Sequence, residues 1–284
     1  MAMVVGISGA SGKLGRAVVA ELEKRSTDSR LVGITRTPQA LESGIETRLG
    51  DYDRPETLIT AYKGLDRLLL IPSADLRPGV RGRQLTAAID AAVRAGIAHI
   101  FLLSASGTRE VSEASLNSGY WIGEQHLIKT APRWTILRMN YYAESMLEEV
   151  LASVGQGVLA GLGEERVAYV SRNDLAAAAA GALLSEGHVG ALYIITGPAI
   201  VTGPERAAIA SDVLGKPLAF AVVSEDQLRA GLSQAGLPTD LVEVVAEIKS
   251  TFVKGYFDVV TGDAQRLSGR APKSFRDVFT SFQA

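Results

Sequence analysis

The chain has 284 residues, with 29 basic and 31 acidic side chains for a net charge of −2, 47% hydrophobic content and no cysteine. That balance gives no electrostatic reason to expect nucleic acid, and the missing thiols exclude disulfides, cysteine nucleophiles and Cys-ligated metals. The length suits one large α/β domain, alone or with a smaller appendage, and MAMVVGISG at the start lacks the basic-then-apolar pattern of a signal peptide.

Taken in chain order, the first half alternates strand-like and helix-like segments. MVVGIS (3–8) is a β-branched run. The segment 13–25 follows it, with Leu14, Val18 and Leu22 on one helical face. LVGIT (31–35) and IETRLGD (45–51) read as the second and third strands, and PETLITAYKG (55–64) as a short helix between Pro55 and Gly64. DRLLLIP (66–72) is continuously apolar up to Pro72, the pattern of a strand buried on both faces. A helix over 80–95 ends at Gly96; HIFLLSAS (99–106), a helix near 119–130 and RWTILR (133–138) continue the rhythm.

Such alternation predicts right-handed βαβ units, a Rossmann-type, doubly wound parallel sheet with helices on both faces. Ligands in these sheets sit beyond the carboxyl ends of the strands, where strand order reverses. That rule gathers residues 9–15, 36, 71–76 and 104–107 around one crevice.

After residue 140 the pattern changes. A helix near 143–154 leads to the glycine-rich 155–170, then to LAAAAAGALL (175–184), which is too short to span a bilayer and reads as a buried helix. A strand at 191–196, helices near 203–214, 225–235 and 238–252, and a strand at 218–223 complete the chain. We expect an NADP(H)-binding domain over 1–142 and 159–197. The remaining 143–158 and 198–284 are expected to form a smaller, mostly helical substrate lobe. The glycine-rich 155–165 is expected to wall the cleft, and the mixed-sign 262–279 to be a solvated surface.

Gly9, Gly12 and Gly15 fall at the first strand-to-helix turn, the context a dinucleotide site requires. The first permits a tight turn, the second lets backbone approach a pyrophosphate, and the third lets the helix close on the sheet. The second strand ends in Arg36 with no carboxylate, which favours NADPH over NADH, because a guanidinium can pair with a 2′-phosphate.

With GASGKLG (9–15), TR (35–36), GDYDRPETL (50–58), LLLIPSA (68–74), LLSAS (102–106), TILRMNYYAE (135–144) and SRNDLAAAAA (171–180), the chain resembles the NmrA-like, atypical short-chain dehydrogenase/reductases. It is similar especially to their type 2 NADPH:quinone oxidoreductases and triphenylmethane reductases. The resemblance implies a cofactor cradle of Gly9, Ser11, Gly12, Lys13, Leu14 and Gly15, with Arg36 at the 2′-phosphate. It also implies Asp51 and Tyr52 near the adenine, and Ile71, Pro72 and Ser73 near the ribose on the nicotinamide side; Ser104 is a further cofactor-binding candidate. Lys13 reads modestly better as a charge near phosphate than as a solvated first-turn lysine.

Ordinary members of the wider superfamily use a Tyr-x-x-x-Lys pair in which the ammonium assists proton transfer. Here Tyr120 is followed four residues later by Glu124, so that dyad is absent. The quinone-reductase relatives carry histidine where this chain has Tyr120, and asparagine where it has Met139. Tyr120 and Tyr142 stand as catalytic candidates, and Trp121, Asn140 and Tyr141 as substrate-binding ones; for Glu124 a solvated helix position is expected. His99, His126 and His188 have no metal-ligand spacing, so no metal is expected.

Three functions fit. The first is an NADPH-dependent reductase of quinones or similar conjugated aromatic acceptors; the second is a tailoring reductase of a polycyclic aromatic metabolite. The third is an NADP(H)-reading redox sensor without turnover. We expect a cytoplasmic protein with a small aromatic partner, no membrane or nucleic-acid partner, and a homodimer as an open option.

Overall fold

A computed structural model describes residues 2–25, 28–41, 44–111 and 116–283. The strands are β1 (Val4–Ser8), β2 (Arg30–Thr35), β3 (Glu46–Leu49), β4 (Arg67–Leu70), β5 (His99–Ala105), β6 (Trp134–Met139), β7 (Val158–Gly161), β8 (Arg166–Val167), β9 (Ala191–Ile195), β10 (Val201–Thr202) and β11 (Ala219–Val222). Seven of them form one sheet in the order β3-β2-β1-β4-β5-β6-β9, with every pairing parallel. This is the doubly wound arrangement that the alternation predicted.

Its cause is visible strand by strand. β4 and β5 are buried along their whole lengths, so apolar side chains point both ways and need helices on both faces. One face is covered by α1 (Lys13–Lys24), which packs Leu14, Val18 and Leu22 onto Ile7, Leu69 and Phe101. On the other face, α2 (Glu56–Tyr62), α3 (Val80–Arg94) and α4 (Leu116–Thr130) bury Leu58, Leu85, Ile89 and Leu127 against Ile34, Leu68 and Ile100.

After β6 come α5 (Ala143–Ser153) and α6 (Arg172–Leu184). Every residue of α6 from Asp174 to Leu183 is buried, as expected of LAAAAAGALL. Ser171 caps α6, its hydroxyl accepting from the Asp174 N–H at 3.0 Å. A third apolar cluster joins Met146, Leu147, Val150, Leu159, Phe252, Phe275 and Phe279. It brings together α5, α7 (Gly203–Leu214), α9 (Thr239–Val253) and α11 (Phe275–Gln283), while α8 (Glu225–Gln234) lies against α9.

Two expectations need correction. The glycine-rich 155–165 holds the strand β7, which pairs in parallel with β11 about sixty residues away in sequence; Gln156, Val158 and Ala160 border a cavity against α5 and α8, not the crevice at the glycine turn. The segment 262–279 is solvated only in part, most of its charged residues exposed and its large apolar ones buried. Its first helix, α10 (Asp263–Ser268), lies so close to α6 that a Cβ on Gly181 would fall 1.8 Å from the Leu267 carbonyl oxygen. Further along, the Lys273 N–H donates to Asp174 at 2.7 Å, and Phe275 and Phe279 are buried. Mixed charges flank these anchors and disguised them.

Candidate active site

The order β3-β2-β1-β4 puts the reversal of strand order between β1 and β4, and Gly9 and Ile71 leave the sheet there. Gly9 has φ +88°, and its N–H and that of Ala10 both donate to the Ile34 carbonyl, at 2.9 and 3.1 Å. A Cβ on Gly15 would lie 2.2 Å from the Gly9 carbonyl oxygen and 2.7 Å from the Ala10 Cα, so only glycine lets α1 begin this close to the loop. The first turn of α1 then aims backbone N–H groups that have no helical acceptor at the crevice, where the helix dipole is positive. This is a cradle fitted to a pyrophosphate.

The cradle opens into a cavity of about 610 Å³. It is lined by Gly9, Ser11, Gly12, Lys13, Leu14 and Gly15 from the first turn, Arg36 after β2, Asp51 and Tyr52 after β3, and Ile71, Pro72 and Ser73 after β4. The Ser11 and Thr35 hydroxyls bond at 2.6 Å, tying the glycine turn to the end of β2. Arg36 is exposed and forms no ion pair among the described residues. Lys13 donates to Glu148 of α5 at 3.1 Å, both being largely exposed. Asp51 accepts from the Asp53 N–H and from Arg54, and so braces its own turn. Tyr52 donates to the Ile71 carbonyl at 2.9 Å. Ser73 donates to Gln84, which donates to Asp53 at 2.8 Å.

Ser104 is fully buried, hydrogen-bonds the Thr108 hydroxyl at 3.3 Å and does not line this cavity.

A second cavity of about 200 Å³ adjoins the first. Arg81, Tyr120, Met139 and Tyr142 line both, so their side chains mark the junction. Its remaining wall comes from Leu76, Asn140, Tyr141, Phe257 and one face of α9, with Val244, Glu247, Ile248 and Thr251. Asn140 is buried and committed at both ends: its Nδ2 donates to the Phe257 carbonyl at 3.1 Å and its Oδ1 accepts from the Tyr141 N–H at 2.7 Å. Burial pushes the Tyr141 and Tyr142 phenols above their usual range; for Tyr142 the neighbouring Tyr120 adds to this. Trp121 lines neither cavity.

Glu124 departs from its expected solvated position. It is 1% exposed, and its carboxylate takes two hydrogen bonds from Arg138 of β6, at 2.8 and 2.6 Å. The glutamate in the lysine position is therefore neutralised by its own arginine. Three residues on the cavity walls were not singled out from sequence. Arg81 stacks on Tyr120, Arg172 lies 5.3 Å from the Tyr142 ring centroid, and Gln84 links Ser73 to Asp53. Of these, only Arg172 lay within a quoted motif, SRND.

The family described as NAD(P)H-binding matches residues 9–186 of this chain. The chain belongs to that family, in its NmrA-like form. Quinone oxidoreductase 2 of Escherichia coli is 34% identical over 252 residues, 86% of each chain. The solved structure of the NADPH-dependent quinone oxidoreductase QOR2 of E. coli with NADPH superposes with a TM-score of 0.92 at 29% identity, covering 99% of this chain and 100% of that one. Triphenylmethane reductase of Citrobacter sp. with NADP(H) gives a TM-score of 0.90 at 29% identity, covering 99% and 100%. Among the described residues, no helix is long and apolar enough to cross a membrane.

Proposed function

We propose that the chain is an NADPH-dependent reductase of quinones or similar conjugated aromatic acceptors. The observation that carries this reading is the junction: a nucleotide cradle and an adjoining, mostly apolar chamber share Arg81, Tyr120, Met139 and Tyr142. A protein that only read the cofactor would have no need of a second chamber at that end. The relatives named quinone oxidoreductase and triphenylmethane reductase support the acceptor class.

In this reading the N–H groups of the first α1 turn hold the pyrophosphate and Arg36 pairs with the 2′-phosphate. Asp51 and Tyr52 shape the adenine end, and Ile71, Pro72 and Ser73 border the ribose nearer the reaction. The reduced nicotinamide, when bound, supplies a hydride. Met139, Ile248 and Phe257 exclude water from the acceptor and hold its ring in near-attack geometry. Tyr120 and Tyr142 present hydroxyl donors to the acceptor's oxygens. A quinone already delocalises the incoming charge, so it needs no Tyr–Lys dyad. Residues 1–142 with α6 and β9 serve as the cofactor domain; β7 and β8, expected there from the sequence, pair instead with β11 and β10 and go with the substrate lobe.

The chamber of about 200 Å³ favours a small ring system over a polycycle. A panel of benzoquinones, naphthoquinones and larger polycyclic quinones, assayed for NADPH oxidation, tests the reading. Oxidation that saturates with the smaller rings is expected. Tight NADPH binding with no oxidation by any member of the panel would favour a sensor.

A further inference from the structure

We propose that Arg81 supplies the positive charge for the acceptor's developing oxyanion, in place of the absent lysine; this inference rests on the reductase reading above. The sequence removes that lysine, and the fold removes any substitute on the same helix. Glu124 occupies the lysine's position, and both of its oxygens are taken by Arg138. The charge at the junction comes instead from α3.

Arg81 is 8% exposed and lines both cavities. Its guanidinium carbon lies 4.6 Å from the Tyr120 ring centroid, over the aromatic face. Its protein partners are few and distant. One terminal nitrogen reaches the Ser73 and Asp75 carbonyls, each at 3.4 Å, and its Nε is buried with no hydrogen-bond partner. It forms no ion pair among the described residues, and the nearby Asp75 carboxylate is claimed by Arg77 at 3.0 and 3.1 Å.

A guanidinium carries five donors, and buried ones are ordinarily matched by a carboxylate. A buried cation with unspent donors and no ion pair among the described residues, near enough to feel the Asp75 charge but not bonded to that carboxylate, calls for an explanation. At the meeting point of cofactor and acceptor, the explanation is a preorganised site for negative charge. Tyr120, held against the guanidinium face, is the adjoining proton donor.

The step balances as follows. Bound NADPH would supply the hydride and so be the two-electron reductant, with NADP⁺ as the oxidised product; the acceptor gains that hydrogen with its electron pair. The charge this adds settles on a quinone oxygen facing Arg81. That oxygen takes a proton from the Tyr120 hydroxyl, which regains one from solvent.

The test compares Arg81→Met, which removes the charge at similar length, with Arg81→Lys, which keeps it. The assay is NADPH oxidation by substituted 1,4-naphthoquinones whose quinols differ in acidity. Arg81→Met is expected to lower kcat about a hundredfold or more, most for the least acidic quinols, while NADPH affinity by fluorescence titration stays within about threefold. Arg81→Lys is expected to recover part of kcat. Unchanged kcat in Arg81→Met, or an equal loss for every quinone, would overturn the proposal. Loss of NADPH affinity in step with kcat would overturn it too, by making Arg81 a cofactor residue.

A second measurement does not depend on turnover or on the variant's folding. The wild-type protein with NADP⁺ is titrated with 4-nitrophenol across pH, following the phenolate absorbance. Preference for phenolate over phenol of at least about tenfold is expected, and equal binding of the two forms would overturn the assignment. Wild-type inactivity toward all quinones would sink the reductase reading while leaving this titration intact, so the two failures are distinguishable.

Discussion

Arg138 on β6 grips Glu124 on α4 through two hydrogen bonds, at 2.8 and 2.6 Å, inside the interface of sheet and helix. The pair explains why the superfamily's dyad cannot be restored here by one change. Glu124→Lys would set a buried ammonium against the partly buried Arg138 guanidinium. We predict a loss of about 3–5 kcal/mol in urea unfolding and no gain in turnover. Adding Arg138→Glu reverses the pair and is expected to recover part of that stability. A stable, faster Glu124→Lys enzyme would show that this position still belongs to the active site.

At the cofactor's other end, Arg36 stands exposed at the close of β2, bordering the nucleotide cavity. A charge-assisted contact to a 2′-phosphate is worth roughly 1.5–3 kcal/mol, so Arg36→Ala should raise KM for NADPH by about ten- to a hundredfold. KM for NADH should stay within about twofold, since that nucleotide lacks the phosphate. Parallel kinetics with the two cofactors check this; equal losses for both would place Arg36 outside the 2′-phosphate site.

How much of this was legible in the sequence depends on the distance over which each feature is made. GASGKLG is complete within seven residues, so its spacing reveals the turn, the helix start and the close approach of Gly15 to Gly9. Ile71, Pro72 and Ser73 followed from a topological rule, because β4 neighbours β1 at the reversal of strand order. The acceptor wall on α9 could not be read, because it joins Met139 and Tyr142 only through tertiary packing across some hundred residues. Trp121 misled by adjacency: one residue beyond Tyr120 turns about 100° around the helix, away from the cavity that Tyr120 lines. Glu124 misled by charge, since its partner lies on another element. In the tail, Phe275 and Phe279 carried a four-residue spacing that the mixed charges obscured.

His99 gives a stability prediction with a definite sign. It stacks on Phe101 at 4.2 Å between ring centroids, and its Nε2 lies 2.8 Å from the Thr135 hydroxyl oxygen. That hydroxyl donates its one hydrogen to the His188 carbonyl at 2.6 Å, so His99 must be the donor to Thr135. Burial, helped by the charges of Arg133 and Arg67, pushes its pKa down to about 4. The unfolded chain, with an ordinary histidine near pH 6.5, therefore binds the proton first. The contribution of His99 is fully present above about pH 6.5 and is lost as pH falls toward 4. Urea midpoints from pH 7 to 4.5 should fall less steeply in His99→Phe than in the wild type. Parallel slopes would remove His99 as a source of acid sensitivity.

The central claim is that the nucleotide cradle and the adjoining chamber form one reaction site. The most direct measurement is a single turnover: protein loaded with NADPH is mixed, without oxygen, with one equivalent of 1,4-naphthoquinone. The reduced-nicotinamide absorbance and the naphthoquinol are then followed together. The account predicts protein-dependent bleaching matched mole for mole by quinol. An absorbance that stays unchanged while NADPH remains bound would contradict it.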